Sequence, residues 1–311
     1  MHMTRLTRGR RWLLAGFGTA AVSLAAMLPS AAQASTAAAP AWEAGGGWNQ
    51  AWIDDFNGPA GSGVNQSTWQ YDTGPGSSFG TGEIETMTNS TSNVHLDGHG
   101  DLDITALGQG QTWSSGRIQT LQDFGAPAGG EMAVTASIRQ PDPASGLGYW
   151  PAFWMLGPGQ WPETGEIDIL EDVNALAEHS GTLHCGNLTD VNSDGTLGPC
   201  HEFDGISSGL SAAPGSQTGF HQYTVVVDRR NAADEQIRWY LDGRQFFQVN
   251  EDQVGQAAWT AAVDHGYSII FDLAMGGGFP NGVCQCTTPT SATTSGGTMT
   301  VQYVAVYDHN G

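Results

Sequence analysis

The chain has 311 residues, and its 31 acids face ten basic residues, all arginine, for a net charge of −21. So acidic a balance argues against nucleic acid or an anionic surface as partner. It suits a neutral substrate, although a role in solubility explains it equally well.

Arg5, Arg8, Arg10 and Arg11 precede an apolar run from Trp12 to Leu28 and the small-residue phrase Ala32-Gln33-Ala34. That order reads as a secretory signal peptide over residues 1–34. The Arg10-Arg11 pair resembles a twin-arginine signal, and the sequence leaves the Sec and Tat routes open. The run is too short, and wrongly flanked, for a membrane span. Without the signal, six arginines face 31 acids, a balance of −25. The mature chain is therefore expected to be exported, soluble and free of the membrane. Residues 35–47 are Ala-, Pro- and Gly-rich and read as a flexible leader. Residues 48–308 read as one domain, a length that all-β sandwiches reach.

From Trp52 to Gly58 runs a first strand with its turn, and Trp69–Tyr71 reads as a second. Gly82–Thr88 alternates acids with other residues. Asn93–Ala106 reads as two strands about a turn at Asp97-Gly98. Further strands are expected at Ser115–Thr120, Glu131–Gln140 and Ser180–Cys185. A long Gly- and Ser-rich loop, 186–217, follows and reads as a functional rim. Gln222–Asp228, Gln236–Gly243 and Arg244–Val249 are consecutive strands, the last two joined by the hairpin signal Asp242-Gly243. Residues 251–263 are the only helix predicted. Tyr267–Gly278 reads as a buried strand, and Met299–Tyr307 closes the sheet, with no appended carbohydrate-binding module expected. Many short strands with Gly-rich turns and one helix argue an antiparallel β-sandwich.

Four cysteines stand at 185, 200, 284 and 286, an even count in an exported chain. Cys185–Cys200 is the favoured bridge because the Gly-, Asn- and Asp-rich loop between them closes without strain. Cys284 and Cys286 would form a very small ring, and their pairing stays open. Zinc, suggested by His184 and His201, lacks the paired spacing of such sites.

The chemistry concentrates at Gly165-Glu166-Ile167-Asp168-Ile169-Leu170-Glu171-Asp172. Glu166 and Asp168 alternate with Ile167 and Ile169, so two carboxylates share one strand face. Plain alternation would send Glu171 to the apolar face, where an unpaired carboxylate is costly. One extra residue near Ile169-Leu170, a β-bulge, returns Glu171 to the acidic face. Three carboxylates in one row repel, which favours keeping one proton and supplies an acid beside an ionised carboxylate. A solvated surface strand is the alternative, but Trp150, Trp154 and Trp161 just upstream are more than such a strand needs.

The phrase Gly148-Tyr-Trp-Pro-Ala-Phe-Trp-Met-Leu-Gly157, then Trp161-Pro, then Gly165-Glu-Ile-Asp-Ile-Leu-Glu171, resembles the signature of glycoside hydrolase family 16. The longer acid motif is that of bacterial endo-β-1,3-glucanases (laminarinases); the lichenase and xyloglucan-transglycosylase branches usually carry the shorter Glu-x-Asp-x-Glu. The resemblance extends over about 48–308. It implies a concanavalin A-like β-jelly roll of two antiparallel sheets with a concave glycan-binding cleft.

It also implies roles. Glu166 would be the nucleophile of a retaining double displacement and Glu171 the acid/base, with Asp168 holding the geometry between them. Arg117, in Ser115-Gly-Arg117-Ile, would point into the cleft toward the nucleophile, with a structural ion pair as the alternative. His184 matches the family's histidine near the acid/base. Trp150, Trp154 and Trp161 are candidates to stack on sugar faces, some of them instead belonging to the core. Glu83 matches a sugar-contacting Glu, but Thr81-Gly82 replaces the usual Asn pair, and Glu85 stands where Gln is usual. Asp272 stands where Asn is usual.

The function so implied is endo-hydrolysis of β-1,3-glucan by a monomer. Other readings stay open: a β-1,3-galactanase, a transglycosylase, or a non-catalytic glycan binder. No cofactor is required. Calcium is expected at most as a weakly held structural ion outside the cleft, with Asp54 and Asp55 as candidates, because Gln302 replaces the usual final-strand Asp.

Overall fold

The computed structural model describes residues 46–310, so the expected signal peptide (1–34) and most of the leader (35–47) lie outside the described residues. Two eight-stranded antiparallel sheets dominate, accompanied by a small four-stranded one. The first large sheet centres on Gly130–Arg139 and Thr298–Asn310, flanked by His221–Asp228 and Leu102–Thr105. In the second, the order is Glu178–His184, Glu166–Glu171, Tyr149–Leu156, Ser268–Met275, Arg117–Thr120 and Trp69–Tyr71. This is the expected β-jelly-roll sandwich.

Strand alternation makes the core. Phe153, Ile167, Leu183 and Phe271 from one sheet meet Val134, Val225, Trp239 and Val301 from the other, all fully or almost fully buried. Phe153 and Phe271 stack at 4.7 Å between ring centroids. Side chains that alternate with these on the second sheet point away from the core and form the site.

The expected bulge is present. Phe153 pairs with Leu170 and Trp154 with Asp168, so Ile169 is the extra residue. On the opposite side Asp168 faces Thr182 and Glu171 faces Ser180, leaving Ile169 and Leu170 to share Gly181. The Asp242-Gly243 hairpin also forms, with φ of 50° and 75° at its two central residues, as a type I′ turn requires.

Two local expectations change. Residues 251–263 form two helices, Glu251–Val254 and Gln256–Val263, because Gly255 breaks the run with φ of 83°. A further helix, Gly278–Cys284, begins where the strand was expected to end, after Gly276 and Gly277 turn the chain with positive φ. In Gly82–Thr88 only Thr86–Met87 is a strand, and Glu83 makes an isolated bridge to Gly276. No described helix is long and apolar enough to cross a membrane.

Both disulfides form: Cys185–Cys200 as expected, and Cys284–Cys286 at the end of the last helix.

Candidate active site

The acid strand Glu166–Glu171 lies between the tryptophan strand Tyr149–Leu156 and the histidine strand Glu178–His184. Its core-facing residues Ile167, Ile169 and Leu170 are 0–1% exposed. The bulge therefore lets Glu166, Asp168 and Glu171 share the opposite face. Each glutamate has one indole donor. Trp161 Nε1 donates to Glu166 Oε2 at 3.0 Å, and Trp150 Nε1 donates to Glu171 Oε1 at 3.0 Å.

His184 closes the row. Its Nε2 lies 3.4 Å from Asp168 Oδ2 and 4.0 Å from Glu166 Oε1. Its Nδ1 lies 2.6 Å from Glu202 Oε2. Burial alone would lower the imidazole pKa, but the contacts with Asp168 and Glu202 and the charge of Glu166 hold it well above its ordinary value. Glu166, Asp168 and His184 bring ligand-type atoms within 4.8 Å of one another.

Burial, then the charge of Asp168, pushes Glu166 up to about 8, against the opposing pull of His184, Arg117 and the Trp161 N–H. The same two causes raise Glu171 well above the carboxylate range. Both glutamates thus favour keeping a proton, as a coupled row does; the close approach of His184 and the charge of Arg117 favour ionisation at Glu166, which leaves Glu171 as the carboxylic acid.

A second group of charges sits along the neighbouring strands. Arg117 Nε pairs with Asp72 Oδ2 at 3.1 Å, and its guanidinium lies 4.4 Å from the Phe79 ring and 4.7 Å from that of Trp154. The alternative weighed for Arg117, a structural ion pair, is therefore present. Trp154 is only 9% exposed, and its Nε1 donates to Asp272 Oδ1 at 2.7 Å. Burial, and more weakly the charges of Asp168 and Asp72, raise Asp272 to about 6, opposed by Arg117 and the Trp154 N–H. Glu83 is 6% exposed, and burial pushes it up to about 7; Glu85 is fully buried and pushed up to about 8 for the same reason. Glu85 Oε2 accepts the Met275 N–H at 2.8 Å. The structure therefore splits the candidates: Trp150, Trp161 and His184 touch the acid row, while Glu83, Arg117 and Trp154 belong to the adjoining charged group.

Residues 84–202 match the family model described as XgeA-like, catalytic GH16 domain. The crystal structure of endo-1,3-beta-glucanase from Streptomyces sioyaensis is 44% identical, covers 85% of this chain and 98% of its own, and has a TM-score of 0.78. The chain belongs to glycoside hydrolase family 16. Another family-like neighbour, the endo-beta-1,3-glucanase from Pyrococcus furiosus, is 28% identical at a TM-score of 0.65, covering 84% of this chain and 95% of its own. Glucan endo-1,3-beta-glucosidase A1 of Niallia circulans is 32% identical over 84% of this chain. The chain spans only 38% of that relative's length.

Several residues of this family 16 site escaped sequence reasoning. Glu202 binds His184 from across the disulfide loop. Phe203, 68% exposed, stacks on Trp161 at 5.9 Å and 12°. Phe279 meets Trp150 edge-on at 5.8 Å. The only hint in the chain was the phrase Cys200-His-Glu-Phe203 closing a loop that opens at His184-Cys185.

The calcium candidates are engaged locally. Asp54 accepts the Phe56 N–H at 2.9 Å and the Trp69 Nε1–H at 2.8 Å, and Asp55 accepts from Asn57 at 2.7 Å. Gln302 accepts from Ser137 Oγ at 2.8 Å.

Proposed function

We propose that this chain is a secreted, monomeric, endo-acting hydrolase of β-1,3-glucan that works by double displacement. The observation that carries the reading is the asymmetric acid row, in which two glutamates flank Asp168 and only Glu166 faces His184 closely. Glu166 attacks the anomeric carbon and forms a glycosyl-enzyme ester. Glu171 protonates the departing glycosidic oxygen, then takes a proton from the water that opens the ester. Asp168 supports the proton on Glu171 by its charge and, with His184, orients Glu166. Trp161 and Trp150 fix the two carboxyls through their N–H groups and leave indole surface for sugar C–H faces. The glucan preference is carried over from the endo-1,3-beta-glucanases named above. Secretion rests on the signal-like segment at 1–34.

A substrate panel of laminarin, lichenan, β-1,3-galactan, agarose and carrageenan tests the reading. Oligosaccharide release from laminarin, fastest of the five, is expected. Preference for a galactan would overturn the glucan assignment, and elongated rather than shortened products would mark a transglycosylase.

The reaction sequence needs no cofactor, because each step is a proton or glycosyl transfer between carboxyls, sugar and water. Any calcium is proposed to bind weakly and away from the acid row, since Asp54 already accepts two hydrogen bonds and the final strand offers a neutral amide. EDTA is expected to change neither activity nor, by more than about a degree or two, the melting temperature; a tightly held ion worth about 2–3 kcal/mol would shift it severalfold more. A chelator-induced drop of that larger size in a thermal scan would show a strong site.

A further inference from the structure

We infer that Glu202 is a positioning residue that holds His184 as a doubly protonated imidazolium beside the acid row, and that the Cys185–Cys200 disulfide anchors it there. The catalytic consequence rests on the roles proposed for Glu166 and Glu171; the contact itself does not.

Glu202 has no exposed side-chain surface. Its Oε2 lies 2.6 Å from His184 Nδ1, and its Oε1 accepts the Cys185 N–H at 2.9 Å. The backbone is tied as well: Glu202 N–H donates to Leu197 O at 2.7 Å, and Leu197 N–H donates to Glu202 O at 3.1 Å. Cys200, two residues earlier, is bonded to Cys185, the neighbour of His184. One covalent link and three hydrogen bonds thus fix this carboxylate against the ring.

The other side of the ring faces Asp168 Oδ2 at 3.4 Å and Glu166 Oε1 at 4.0 Å. Asp168 Oδ2 is buried and otherwise without a hydrogen-bond partner among the described residues. With a carboxylate oxygen on each side, both ring nitrogens must donate. A neutral ring would set one lone pair against a carboxylate and leave a buried charge unpaired. The Trp161 ring, 5.7 Å away, and Gly205 also adjoin the imidazole and carry no charge. Glu171, in the same row, is raised toward its neutral form, and Arg117 supplies the other nearby positive charge. Without Glu202, the ring needs only one proton to satisfy Asp168, and the positive charge beside Glu166 goes.

The test has a spectroscopic arm and a kinetic arm, both on the full chain. Side-chain 15N spectra of His184 in the wild type at about pH 8, where an ordinary imidazole is neutral, are expected to show two protonated nitrogens. Glu202→Gln keeps an oxygen for the Cys185 N–H but presents an amide N–H to Nδ1, so a single-proton ring is expected. In laminarin hydrolysis the acid limb of kcat/KM is expected to move upward by about one pH unit, the size typical of losing one close opposite charge. Glu202→Asp should restore part of that shift. Cys185→Ser with Cys200→Ser should move the limb in the same direction. A neutral His184 in the wild type overturns the inference whether or not the chain cleaves glucan. An unshifted limb in a folded Glu202→Gln variant, with the wild type active, overturns the catalytic consequence alone. An inert wild type with a protonated His184 overturns the proposed hydrolase and leaves the positioning contact standing.

Discussion

Glu171→Gln is expected to lower turnover of β-1,3-glucan by about 10²–10⁴-fold, the contribution of a positioned general acid, and Glu166→Gln by at least as much. Both changes preserve shape. A glutamine at 171 can still accept the Trp150 N–H, and one at 166 can still accept that of Trp161. Folding should therefore persist, checked by an unchanged circular dichroism spectrum. The two variants differ in what rescues them. An aryl glycoside with a good leaving group needs little protonation, so it should recover much of the loss in Glu171→Gln. It should recover none in Glu166→Gln, which lacks the attacking oxygen. Near-wild-type turnover of laminarin by either variant would remove that residue from its role, and rescue of Glu166→Gln but not Glu171→Gln would mean the assignments are reversed.

The second large effect concerns stability against pH. Glu83, Glu85, Asp172 and Asp272 are buried and raised by desolvation to about 7, 8, 7 and 6, from ordinary values of 4.5 for Glu and 3.8 for Asp. Each binds a proton more tightly folded than unfolded. Their contribution is complete below the unfolded values and is lost as pH rises toward the folded ones. Stability should therefore fall between about pH 4 and pH 8. His184, also raised, acts in the same direction at the upper end. Asp228 opposes it: despite burial, hydrogen bonds from Arg230 and Arg238 lower its pKa, so its contribution disappears as pH falls through and below the ordinary Asp value. The melting temperature should peak near pH 4–5 and decline by roughly 10 °C by pH 8, taking a few kcal/mol in total and about 2–4 °C per kcal/mol. Glu85→Gln should flatten the decline, since the amide can accept the Met275 N–H without titrating. Scanning calorimetry from pH 4 to 9 decides it; a melting temperature that is flat or rises from pH 5 to 8 contradicts the argument.

What was legible in the chain was governed by short-range rules. The acid row followed from a period of two plus one inserted residue, and the bulge lies where that count required it. The Asp242-Gly243 hairpin followed from backbone freedom at two positions, and Cys185–Cys200 from the ease of closing a 15-residue separation. What escaped was set by distant partners. Trp154 and Trp150 share a strand face by alternation, but nothing local distinguishes them. Asp272, 118 residues from Trp154, takes its indole N–H, while Glu171 takes that of Trp150. Glu202 reaches His184 across a sequence separation of 18. The Gly278–Cys284 helix was hidden because its two preceding glycines and its own Gly and Pro carry little helical signal.

The bulge has a cost in reversibility. Two successive residues there lie over Gly181, and a methyl group on Gly181 would come within 2.5 Å of the Trp239 ring. That same indole reaches from the opposite sheet to donate to the Asp168 carbonyl at 2.7 Å. Bulge, glycine and tryptophan therefore form one lock. Deleting a single residue to reach the shorter Glu-x-Asp-x-Glu spelling would pull the Asp168 carbonyl away from its donor and strand the Trp239 N–H inside the core. Passage between the two spellings of the motif thus demands coordinated change at three separated positions: the bulge, Gly181 and Trp239.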